Sequence, residues 1–142
     1  MLSRHQGNVT THAVGLCASI ATVILMAGDR IVVDDSCFCL IHLPWSCIQG
    51  NANDMAKEID ALKKCEVAMM GYYKKHLKTD ETALVKYMED ETWFLGNEFA
   101  DIFDVEVVPA DKVFNIAAKC DLSKFKNLPK VFNMENEEKK PE

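Results

Sequence analysis

This chain has no basic patch with interleaved aromatics, and the formal charge is −6. Nucleic acid is therefore not an expected partner, and an acidic chain has no attraction to an anionic membrane surface. No hydrophobic run is long enough to span a bilayer. The apolar stretch 14–27 falls short of the roughly 20 residues a spanning helix needs. It also lies too far from the start for a signal peptide, and the polar residues between His5 and His12 interrupt what Arg4 begins. A cytoplasmic placement is the expectation, with the six cysteines as reduced thiols. These cysteines lack the C-x₂-C pairing of structural zinc sites. Cys37, Cys39, Cys47 and His42 can be drawn as a ligand set, but not at that spacing, and Cys37 and Cys39 suit packing on one strand face equally well. No metal and no cofactor is expected. Internal repeats are absent as well.

What is present is an alternation of apolar segments with turn signals. At 142 residues and 49% hydrophobic content, the chain can build one domain with a real core. Residues 9–16 read as a buried β-branched strand ended by Gly15 and Leu16. Residues 19–27 read as a helix of small and branched apolar residues with no polar face, hence buried all round. Residues 30–33 and 37–41 read as further strands, separated by the turn residues Asp34, Asp35 and Ser36. Strand, helix, strand in that order implies a crossover unit of an α/β fold.

Residues 53–78 read as one long helix, capped by Asn53 or Asp54, with Met55, Ile59, Leu62, Val67, Met70 and Tyr73 at near-helical spacing. About 25 residues extend about 37 Å, more than the radius of so small a domain, so one end is expected to pack on something else. A short helix over 83–88 ends in the acidic run 89–91, a helical turn follows over 98–102, and 105–108 read as a last strand. The pattern weakens after Pro109. A helix over 111–119 precedes a loop containing Pro129, and the charged residues 133–142 read as a disordered tail.

Two residues in this frame can carry chemistry. Ser19 lies where a strand turns into a helix, so its hydroxyl sits beside unpaired backbone N–H groups and the positive end of a dipole. That geometry suits a nucleophile, and it equally suits an ordinary helix N-cap. His42 ends a second apolar run, 23 residues on. An imidazole can accept a hydroxyl proton near neutral pH and return it to a leaving amine.

The surrounding strings resemble the Clp peptidase family, in particular its shorter phage and prophage forms. Gly15-Leu16-Cys17-Ala18-Ser19 followed by Met26-Ala27-Gly28 is similar to the family's nucleophile motif. Leu40-Ile41-His42-Leu43-Pro44-Trp45 is similar to its histidine motif. Gln49 to Asp54 resembles the turn into its long helix, and Glu91-Thr92-Trp93-Phe94-Leu95 with Glu98-Phe99-Ala100 its Glu-Thr-Trp-Leu segment. The resemblance covers residues 8–108.

It implies a ClpP/crotonase-like α/β fold with residues 1–108 as the peptidase-like domain, 109–132 as a C-terminal extension and 133–142 as a tail. It implies a serine endopeptidase acting on unfolded polypeptides or phage structural proteins. The assembly would be a homo-oligomeric ring joined through the handle helix 53–78, with an ATPase chaperone as a further partner. Ser19 would be the nucleophile, His42 the base, and the backbone N–H of Ile20 an oxyanion donor. The family's acid falls at Thr92 when Phe94-Leu95 is aligned with its aromatic-Leu pair, with Glu91 adjacent as the alternative. The family's glycine-rich oxyanion loop has no counterpart, since Gly7 is the sole glycine ahead of the nucleophile strand. The chain thus reads as an N-terminally truncated form with an unpaired sheet edge. The competing reading is a catalytically impaired subunit that acts only in assembly.

Overall fold

The computed structural model describes residues 2–110 and 122–132. The helix expected over 111–119 and the tail 133–142 lie outside the described residues. The chain is mixed α/β, as expected of a ClpP-like fold. Two three-stranded sheets carry it. In the first, β1 (Thr10–Ala13), β3 (Arg30–Asp34) and β6 (Glu106–Val108) are all parallel. In the second, β2 (Leu16–Ala18) is parallel to β4 (Phe38–Ile41), and β5 (Thr92–Leu95) returns antiparallel on β4's other side.

The single strand expected over 9–16 is two strands in two sheets. Gly15, at φ 71°, makes the break, since that backbone conformation is open to glycine and costly for other residues. The chain breaks again between β3 and β4, so both crossovers through α1 (Ile20–Leu25) join parallel neighbours. Among the described residues β1 pairs only with β3 and β2 only with β4, so each is an edge strand of its sheet.

Helix α1 is shorter than expected and is not buried all round. Thr22, Val23 and Leu25 face the core, while Ile20 and Ile24, one turn apart, are exposed. Its end is set by a close approach to β1. Thr11 Oγ1 donates to the Leu25 carbonyl at 2.7 Å, and a Cβ on Gly28 would stand 2.3 Å from Thr11 Oγ1.

Helix α2 (Ala52–Tyr73) is followed by a 3₁₀ turn, Lys74–His76. Its cap is Asn51, not Asn53 or Asp54. Asn51 accepts from the N–H groups of Asn53 and Asp54, and the Asp54 carboxylate returns a bond to the Asn51 N–H. This reciprocal pair satisfies donors that a helix start otherwise leaves open. Only Tyr73 of α2 is buried, and Met55, Ile59 and Val67 are exposed.

Helix α3 (Glu81–Glu89) precedes β5, a strand absent from the sequence reading although Thr-Trp-Phe-Leu is β-forming. Helix α4 (Gly96–Ile102) follows it. The core is a continuous cluster that includes Met26, Val33, Ile41, Tyr73, Leu84, Met88, Phe99 and Phe103.

Candidate active site

The site is built where the second sheet meets α1. The Ser19 N–H donates to the Leu40 carbonyl at 3.0 Å, extending the β2–β4 ladder by one bond. The chain then turns sharply into α1, and Ser19 takes φ 59°, ψ −124°, a conformation that costs a non-glycine residue energy and persists only where the surroundings impose it. Its side chain makes no capping hydrogen bond. Ser19 Oγ instead lies 2.7 Å from His42 Nε2. The two residues meet because β2 and β4 are neighbours in register, and each protrudes just past the end of its strand.

Ile20 occupies the first helical position, where an N–H has no intrahelical partner. Below the turn, Thr22 Oγ1 donates to the Ser19 carbonyl at 2.6 Å and lies 2.7 Å from Tyr73 Oη. The threonine proton is committed to an oxygen that can only accept, so Tyr73 donates to Thr22. Burial pushes the Tyr73 phenol up to about 12, which keeps that donor protonated. The end of α2 is thereby tied to the backbone of the serine.

His42 is buried, at 6% exposure. Burial lowers its pKa from the ordinary histidine value by disfavouring the charged ring. The Glu91 carboxylate and a backbone hydrogen bond at Leu43 raise it in part, and the nearby Lys124 lowers it again. The imidazole is therefore held in its neutral form, the form that can accept a proton.

The β4–β5 pairing decides which acid stands near. The ladder ends at the Ile41–Thr92 pair, so His42 and Glu91 each lie one residue beyond its end, and the Glu91 charge acts on the imidazole. Thr92 does not reach the histidine in this structure. Its hydroxyl donates to the Tyr87 carbonyl at 2.8 Å, because alternation along β5 turns it toward the end of α3. Glu91, at φ 51°, accepts from the N–H groups of Lys126 and Asn127 at 2.5 and 3.0 Å.

A cavity of about 430 Å³ opens beside the pair, lined by Ser19 and His42 with Ile20, Val23, Pro44, Trp45, Met69 and Tyr72 among its walls. Among the described residues no Asp, Glu, Lys or Arg side chain lines it. The cysteines take other places. Cys17 and Cys39 are register partners in β2 and β4, buried together with Cys37, and Cys47 is exposed. A hydrogen bond from Cys39 lowers the Cys17 thiol pKa, and the same bond pushes Cys39 up. Among the described residues no group of three His, Cys, Asp or Glu side chains is placed to hold a metal ion.

The Clp protease family model matches residues 1–102. The chain belongs to the Clp protease family. No curated protein matches it. In this Clp family member the matched region contains Ser19, His42, Glu91 and Thr92, and residues 122–132 lie beyond it. The strand β5 and the contact between Glu91 and residues 126–127 were missed by sequence reasoning. The β-forming run 92–95 could have revealed the strand. Nothing local reveals a contact between residues 35 positions apart.

Proposed function

We propose that this Clp family chain is a serine endopeptidase subunit acting on polypeptides. The observation that supports it best is Ser19 Oγ at 2.7 Å from His42 Nε2, on a positive-φ turn where the hydroxyl caps nothing. In the reading, His42 Nε2 takes the hydroxyl proton as Ser19 Oγ attacks the peptide carbonyl, then returns it to the leaving amine. The Ile20 N–H, helped by the dipole of α1, meets the developing oxyanion. Glu91 is the preferred third member, because a carboxylate stabilises an imidazolium and a threonine hydroxyl does not. The uncharged cavity beside Ser19 suits an apolar side chain next to the scissile bond. The chain needs no cofactor for this chemistry.

Acylation by a fluorophosphonate, mapped by mass spectrometry, tests the assignment. Label on Ser19 is expected, and an unlabelled Ser19 in folded protein sinks it. The pH profile follows from His42. Only the neutral ring accepts the proton, so the rate rises as His42 deprotonates. Because its pKa is lowered, the half-maximal rate should fall below the ordinary histidine value of about 6.5. A midpoint at or above that value counts against His42 as the base.

We further infer that the chain works as a homo-oligomer joined through α2, placed in the cytoplasm. Proteins of this family form oligomers and handle polypeptides, and no helix among the described residues is long and apolar enough to cross a membrane. Met55 and Ile59, one turn apart, leave apolar surface open on a helix that buries only Tyr73. Ile59→Glu is expected to shift sedimentation toward smaller species. An unchanged distribution places the interface elsewhere. An ATPase partner and a phage structural substrate remain part of this proposal, to be tested by co-purification and by digestion of candidate substrates.

A further inference from the structure

Residues 122–132 lie outside the family match and pack directly on the site. The Phe125 ring meets the His42 imidazole edge-on at 5.9 Å and Trp93 at 5.7 Å. Phe132 packs on Phe38 and Trp93. The Lys126 and Asn127 N–H groups both donate to Glu91 Oε1, and Asn127 Nδ2 donates to the Asp90 carbonyl at 2.6 Å. Glu91 adjoins the end of the β4–β5 ladder, and its charge acts on His42. The segment therefore occupies the one carboxylate best placed to steady the base, using its own backbone donors.

We propose that residues 122–132 are an autoinhibitory strap, which engages the Glu91 carboxylate through its own backbone N–H groups and frees it for the imidazole when the strap withdraws. The proposal rests on the peptidase reading of Ser19 and His42. Two further observations agree with it. Lys124 travels with the strap and lowers the basicity of His42, whereas Glu91 raises it even in the strapped state, so withdrawal of the strap removes the opposing charge and leaves the supporting one. The strapped state also leaves Trp93 Nε1 buried without a hydrogen-bond partner among the described residues. An unmet buried donor costs stability, so the strap is bound less firmly than its aromatic contacts suggest.

The test uses the full chain. Lys126→Pro deletes one donor to Glu91, Phe125→Ala removes the ring from His42, and Asn127→Ala, at an exposed residue, removes the side-chain bonds to the Asp90 and Glu91 carbonyls and leaves both donors to the Glu91 carboxylate. The readout is the second-order rate of Ser19 acylation by a fluorophosphonate, with amide hydrogen exchange over 122–132 to register loosening. The first two variants are expected to acylate about tenfold faster than the parent, within the usual range of coupling between linked sites. Asn127→Ala should give a smaller gain in the same direction. Glu91→Gln added to Lys126→Pro should cancel the gain, a result that mere loosening of the fold does not produce. A parent that labels at Ser19, with no variant faster, overturns the strap alone. A gain that survives Glu91→Gln overturns the role given to Glu91, and with it the strap. Labelling absent from parent and variants alike overturns the peptidase reading and the strap together.

Discussion

Replacing Ser19 by alanine is expected to abolish fluorophosphonate labelling and to reduce hydrolysis of an unstructured peptide by several orders of magnitude, on the order of 10⁴-fold or more. Stability should hardly change. A serine that caps a helix contributes about 1 kcal/mol, but Ser19 makes no capping bond. Its backbone contacts, the N–H to the Leu40 carbonyl and the carbonyl to Thr22 Oγ1, survive the substitution. Alanine tolerates the positive φ no better than serine, so a loss of a few tenths of a kcal/mol is the most to expect. A separation of effects, with activity gone and the melting curve kept, distinguishes a nucleophile from a structural serine. Unchanged turnover by a pure Ser19→Ala preparation would falsify the assignment.

Gly96→Ala should have the largest effect on stability among small substitutions. Gly96 opens α4 directly against the end of β3. A Cβ there would stand 2.2 Å from the Asp34 carbonyl oxygen and 3.1 Å from Asp35 Cα. Both neighbours are backbone atoms, which cannot rotate away as a side chain does. Either α4 or the β3 end must move, and both are packed. The Asp35 carboxylate also accepts from the Ala110 N–H at 3.1 Å. Overpacking of this kind costs on the order of 3 kcal/mol, which lowers the melting midpoint by roughly 10 °C in a domain of this size. Gly71→Ala is the control. Nothing lies within 4 Å of a Cβ at that position, and alanine in an exposed helix gains about 0.5–1 kcal/mol over glycine. Equal melting curves for the two alanine variants would mean that α4 does not sit against β3 as described.

The sequence by itself was enough for the alternation of strands and helices, the long helix, and the pairing of Ser19 with His42 as candidates. Periodicity and turn residues are local properties, and the two motifs lie within short windows. It left Ser19 undecided between cap and nucleophile, because both uses place a serine at a helix start. Only the tertiary structure decided where the hydroxyl points, since that depends on β4 lying beside β2. The break at Gly15 was legible as a glycine but not as a change of sheet, because which strand a segment joins is set by partners far along the chain. The identity of the residue facing His42 was also out of reach. Thr92 and Glu91 are neighbours in sequence, but Thr92 opens β5 while Glu91 sits in the preceding turn at φ 51°. The direction of Thr92 follows from the register of β5 on β4. The contact of residues 126 and 127 with Glu91 is beyond any local reading, because backbone N–H groups are the same in every residue but proline and leave no mark in the sequence that selects their partner.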